Sequence, residues 1–135
     1  MILLYPFEGA ACGNMLKKAH RLKSSVRIRQ VREARPSWAN HWLVLTTHAS
    51  ELEHARFAFV VSRRVGNAVV RNRVKRLLRE AVRHRLQMIA GGWDVVLIAR
   101  QPARGARFQE MDRAVFDLLR RAGLVVEGSG LERSR

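Results

Sequence analysis

The feature that most restricts the fold is a basic amphipathic helix set between two short apolar runs. Phe57 to Ser62 (FAFVVS) is apolar almost throughout, Val70 to Ile89 has helical periodicity, and Asp94 to Ala99 (DVVLIA) is apolar again. Apolar runs of this length and β-branched content read as strands covered on both faces. The segment Arg63 to Ala68 breaks the first run: Gly66 can supply φ > 0, and Asn67 can cap the helix that follows. Gly91-Gly92 ends that helix. Two buried strands joined by a helix are expected to lie parallel.

The flanking segments fill in the architecture. Ser24 and Ser25 are N-cap candidates for a short helix with Val26, Ile28, Val31 and Ala34 on its apolar side, and Pro36 stops it. Trp42 to Thr47 is β-prone, with a further short strand expected near residues 36–42. Ala49 to Ala55 is polar and reads as a hairpin connection. Phe108 to Ala122 is a last amphipathic helix, with Gly123 just past its end. The order α-β-β-α-β-α predicts an α+β fold, a two-layer α/β sandwich of one sheet with helices packed on it.

At 135 residues the chain is long enough for one domain with its own core. Residues 1–14 carry a single charge and no periodicity and read as a loosely held extension, with Met15 an alternative start. Residues 15–126 form the domain and residues 127–135 a frayed tail. Cys12 stands alone, which excludes an internal disulfide or a multi-cysteine zinc site. No apolar run reaches the ~18 residues of a membrane span, and the start lacks the basic region of a signal peptide, so the expected location is cytoplasmic.

Charge indicates the partner. There are 26 basic and 11 acidic residues, a net +15, which calls for a polyanion. Place Arg71 at angle zero on the helix. Lys75, Arg79, Asn72, Arg83 and Arg76 then fall between roughly 40° and 140°, and Leu77, Val70, Ala81, Val74 and Leu78 between roughly 240° and 340°. One side faces the sheet and the other is a wall of cations with one amide in it. Between Arg56 and Arg85 there are ten basic residues and one acid, Glu80. Arg71–Lys75, Lys75–Arg79 and Arg79–Arg83 repel at i,i+4, a cost that a phosphate backbone would offset. Arg63 and Arg64 flank small residues that let backbone N–H groups approach an anion at the helix start. The plain alternative is compositional drift in a chain with 22 Arg and 4 Lys. A membrane-surface helix is disfavoured, because the apolar side has no Trp or Phe and is needed to cover the sheet.

The stretch Arg63-Arg64-Val65-Gly66-Asn67-Ala68-Val69-Val70-Arg71-Asn72-Arg73-Val74-Lys75-Arg76-Leu77-Leu78-Arg79-Glu80 resembles the signature of the bacterial ribonuclease P protein subunit. Its core is Arg71-Asn72-Arg73. Weaker similarity extends to Arg21-Leu22-Lys23 and to Val95 through Arg100, covering about residues 20–122 in all. The resemblance implies a ribosomal-protein-S5-domain-2-like sandwich with a left-handed βαβ crossover. It implies that the motif helix contacts a catalytic RNA subunit, one protein per RNA. It further implies a cleft between the first helix and the sheet that holds the single-stranded 5′ leader of precursor tRNA, and RNA-borne phosphodiester hydrolysis with Mg²⁺ bound mainly by the RNA. Expected RNA contacts are Arg63, Arg64, Asn67, Arg71, Asn72, Arg73, Lys75, Arg76 and Arg79. Expected cleft residues are Ile28, Arg32, Thr46 and Val60. The family commonly places aromatics at the positions of Ile28, Arg32 and Thr46; the expectation here is either that apolar contact by Ile28 and a cation at Arg32 replace stacking or that the leader is held more weakly.

Other chemistry is poorly supported. A protein metal nuclease needs clustered carboxylates, and the acids are scattered. Asp94 stands alone at a strand start and reads as a turn or capping residue; Asp112 and Asp117 are five apart and share no helix face. His20, His41, His48, His54 and His84 lack dyad or ligand spacing and read as surface residues. Trp38, Trp42 and Trp93 read as structural. The competing function class is a non-enzymatic RNA-binding protein, such as a ribosomal protein or RNA chaperone. A helix-turn-helix DNA binder is third, since a strand rather than a helix precedes the basic helix.

Overall fold

The chain's computed structural model describes residues 18–126. After a 3-10 turn at Lys18–His20 come α1 (Ser25–Arg32), β1 (Ser37–Ala39), β2 (Leu43–Ala49), β3 (Arg56–Val60) and α2 (Ala68–Arg85). A 3-10 turn at Leu86–Met88 leads to β4 (Trp93–Ala99), and another at Gln101–Gly105 leads to α3 (Phe108–Arg121). The proposed extension 1–14, Cys12 and the tail 127–135 lie outside the described residues. Both early helices start on side-chain caps: Ser24 Oγ accepts from Arg27 N at 3.2 Å and Asn67 Oδ1 from Val70 N at 3.0 Å.

The architecture is the expected α+β, built on one mixed sheet of order β1-β2-β4-β3. β4 pairs antiparallel with β2 and parallel with β3, so the strands joined through α2 are parallel neighbours. The hairpin expected across residues 49–55 does not form: β4 inserts between β2 and β3. Val95, Val96 and Leu97 of β4 are wholly buried, whereas Arg56, Phe59 and Val60 of β3 are only half-buried. The strand with the most apolar surface thus takes a central place, and β3 becomes an edge.

Two apolar clusters hold the layers together. On one face Leu43, Leu45, Phe57, Val95 and Leu97 meet Val74, Leu78, Ala81 and Val82 of α2 and Met111, Val115, Leu118 and Leu119 of α3. On the other, Leu22, Val31, Ala58 and Val96 form a smaller cluster under α1. Val26 does not join it and is 61% exposed. It sits about 140° or more around α1 from both Val31 and Ile28, and the two-turn helix can turn only one narrow side to the sheet.

Glycines act differently from the sequence expectation. Gly66 does not adopt positive φ; a Cβ there would meet Val70 Cγ1 at 2.7 Å, so its role is close approach to the first turn of α2. Positive φ occurs at Gly92 (84°) and Gly123 (79°). At Gly123 it lets Leu124 N reach Leu119 O and close α3.

Candidate nucleic-acid interface

Because Val74, Leu78, Ala81 and Val82 fix the inward side of α2, the opposite side must carry the cations. Asn72 and Arg76 are exposed, and Arg71, Lys75 and Arg79 are half-buried. Burial pushes the Arg79 guanidinium below the usual arginine range, and the charges of Arg21 and Arg76 add to the effect. Arg71 Nε is buried with no hydrogen-bond partner among the described residues. A bound anion would relieve both conditions.

Lys75 and Arg79 reach beyond their helix. With Arg21, Leu22, Lys23, Ile28, Phe57, Ala58 and Phe59 they line a pocket of about 190 Å³ against the outer edge of β3. Four cations therefore stand over an apolar floor, a combination suited to a phosphate and the base or sugar beside it.

The turn before α2 is placed by the buried Val65, which leaves Arg63 and Arg64 exposed. Asn67 is exposed too, but its Oδ1 is occupied by capping the helix. Because β3 and β4 are parallel, the turns after both strands lie at the same end of the sheet. Ser62, Arg64 and Val65 there face Ala99, Arg100, Gln101 and Pro102 across a pocket of about 520 Å³. Arg100 is a cation that sequence reasoning missed. Its signal, a lone Arg closing an apolar strand, acquires meaning only once the two strands are neighbours.

Two expected contacts are corrected by geometry. Arg73 turns away from the cationic wall and donates from Nη2 to Ala106 O at 2.8 Å and from Nη1 to Arg104 O at 3.4 Å. It ties the Gln101–Gly105 turn to α2. Arg73→Ala is therefore expected to cost about 1–3 kcal/mol of stability, read by chemical denaturation, while changing the RNA salt slope by less than about one unit. Thr46 is 2% exposed and lies in a row with Val96 and Ala58, the level of the sheet that α1 covers. A side chain so placed presents nothing to a leader strand. Ile28 and Val60 stay half-buried at the margin of that cluster, and Arg32 is exposed at the last position of α1. The next row along, Val44–Ile98–Val60, is a half-exposed apolar strip beside α1.

Other residues also differ from their sequence reading. Asp94 is no exposed cap: it is fully buried and accepts hydrogen bonds from Arg27 and Arg56. The His84 side chain is 7% exposed, with Nε2 2.9 Å from Glu80 Oε2 and its ring edge-on to Phe108; burial holds its pKa below the ordinary histidine value. Glu80 also pairs with Arg83, Asp112 with Arg85, and Asp117 with Arg121. Trp38, Trp42 and Trp93 pack against the main core, in keeping with structural roles. The described residues contain no group of three His, Cys, Asp or Glu side chains able to hold a metal, and no helix long and apolar enough to cross a membrane.

A mixed sheet backed by a helix with one cationic side, flanked by pockets that join cations to apolar floor, defines a protein built to bind nucleic acid. A family model described as Ribonuclease P matches residues 16–123, and the chain belongs to that family. It is 40% identical over 111 residues to the ribonuclease P protein component of Roseiflexus castenholzii, a match covering 82% of this chain and 91% of that one. Among solved structures, the RNase P protein of Staphylococcus aureus superposes with a TM-score of 0.74 at 31% identity, over 80% of this chain and 99% of that one. The RNase P protein of Thermotoga maritima gives 0.69 at 27% identity, over 75% and 96%. The family is that of the protein component of a tRNA-processing ribonucleoprotein, which sets aside the ribosomal-protein and DNA-binder readings.

Proposed function

We propose that this chain is the accessory subunit of a ribonuclease P holoenzyme whose RNA performs the cleavage. The cationic side of α2 (Arg71, Asn72, Lys75, Arg76, Arg79), with Arg63, Arg64 and Asn67 of the turn and Arg100 beside it, binds the catalytic RNA. The strip between α1 and the sheet, with Ile28, Arg32 and Val60 at its margins, takes the 5′ leader of precursor tRNA. Arg forks clamp phosphates bidentately, and Asn72 can reach a 2′-OH or a base edge. One protein serves one RNA, in the cytoplasm.

The observation that carries this reading is the one-sidedness of α2, whose repelling cations are left facing outward rather than interleaved with acids. Four carboxylates, Asp94, Glu80, Asp112 and Asp117, are engaged by arginines, which supports a protein that holds no Mg²⁺ of its own. In this reading any Mg²⁺ would be held mainly by the RNA, where it would serve phosphodiester hydrolysis. The test compares precursor tRNA cleavage by rigorously RNA-free protein, by the organism's own RNA subunit, and by the two together at low Mg²⁺. The protein alone is expected to be inert and the mixture much faster than the RNA. Metal-dependent, site-specific cleavage by RNA-free protein would overturn the assignment.

A further inference from the structure

The geometry points to Asp94 as the positioning residue of the leader cleft: through Arg27 it holds α1, and with it Ile28 and Arg32, at a fixed place above the sheet. The inference rests on reading the α1 face as the leader path.

Strand register puts three rows of side chains on this face. They are His48–Asp94–Arg56, then Thr46–Val96–Ala58, then the half-exposed Val44–Ile98–Val60. Val31 and Ile28 of α1 pack with Val96 and Ala58 of the middle row. The first row is where α1 is fastened. Asp94 Oδ2 accepts from Arg27 Nε at 2.8 Å and from Arg56 Nη2 at 2.8 Å, and Oδ1 accepts from Arg56 Nε at 2.9 Å. Arg27 Nη2 also donates to Ala49 O at 2.8 Å and lies 3.3 Å from His48 Nδ1. A single guanidinium thus joins α1 to β4 and β2, while Arg56 secures the same carboxylate from β3.

The arrangement has a mechanical consequence. An eight-residue helix has little stability of its own and takes its position from what it touches. Apolar contact is non-directional, so Val31 and Ile28 alone would let α1 slide or tilt over the sheet. Charge-assisted bonds at fixed angles do not. Arg27 precedes Ile28 directly, and Arg32 follows Ile28 by one helical turn, so the fastening at Asp94 sets where both meet a strand lying along Val44, Ile98 and Val60. The cationic side of α2 is anchored through the opposite face of the sheet and meets α1 only where Ile28 borders the pocket of Lys75 and Arg79.

The decisive variant is Arg27→Ala, which leaves the Arg56–Asp94 pair inside the sheet intact. It is assayed in the holoenzyme reconstituted with the cognate RNA, by the ratio of precursor to mature tRNA affinity and by the affinity for the RNA subunit. The ratio is expected to fall about tenfold, because small misplacements of positioning groups are costly, with RNA-subunit affinity unchanged. Arg27→Lys retains one charge-assisted bond and should recover part of the loss. A wild-type holoenzyme with a clear precursor preference that Arg27→Ala leaves untouched overturns the positioning role and spares the cleft. Equal losses of precursor and RNA-subunit affinity also overturn it, since they indicate general destabilisation. A wild-type preference no greater than that of the RNA alone removes the cleft reading, and the positioning role with it.

Discussion

Alanine at Arg71, Lys75 and Arg79 together is expected to weaken binding of the RNA subunit by about 10²- to 10³-fold near 0.1 M salt. Each phosphate contact contributes about one unit to the log–log salt slope, and near 0.1 M each unit is worth roughly tenfold in affinity. The slope measured by titration across salt concentrations should therefore fall by about three units. Folding of the free protein should not suffer, because Val74, Leu78, Ala81 and Val82 hold α2 from its other side. It should gain slightly at low salt. The substitutions remove the Arg71–Lys75 and Lys75–Arg79 repulsions, worth about 0.2–0.5 kcal/mol each, together with the desolvated charge of Arg79. An unchanged slope would show that these side chains do not meet phosphate. A sharply lower Tm of the free protein would show that they are structural.

This wall of cations was legible in the sequence because all of it lies on one helix. Helical periodicity is local, so Arg71, Lys75, Arg76 and Arg79 separate from Val74 and Leu78 by counting alone. The caps at Ser24 and Asn67 were legible for the same reason, as was the parallel pairing of β3 with β4 around α2. What depends on strand order was not. The six residues between β2 and β3 could close a hairpin, and nothing local announces that β4 will come between them. That one insertion decides much of the rest. It brings Arg64 and Arg100 to opposite walls of one pocket, and it puts Asp94 between His48 and Arg56. The partners of Asp94 are 67 and 38 residues away in sequence, so the carboxylate read as an isolated cap. Thr46 and Arg73 were misassigned on similar grounds: a family position or a motif letter does not say what covers a side chain or which carbonyl it reaches.

Removing the buried carboxylate is expected to be costly to stability. Asp94→Ala is expected to destabilise the protein at pH 7 by about 3 kcal/mol, the lower end of the range for breaking a buried pair from one side. The lower end applies because the side chains of Arg27 and Arg56 are 23% and 28% exposed and can recover some hydration once their partner is gone. The effect should depend on pH in a defined sense. Burial alone would raise the Asp94 pKa, but hydrogen bonds from Arg56 and Arg27, and then their charges, outweigh it and leave the carboxyl below its ordinary value of 3.8. A carboxyl depressed in the folded state contributes stability above its unfolded pKa, and that contribution is lost as pH falls through the folded value. The gap between wild type and Asp94→Ala in denaturant midpoint should therefore be full at pH 7, begin to narrow as pH drops below about 4, and be smaller at pH 3. A gap that widened on acidification would mean that the folded protein holds Asp94 protonated. The two guanidiniums would then meet a neutral acid, and the fastening of α1 to the sheet would rest on hydrogen bonds to an uncharged acceptor, without the ion pair.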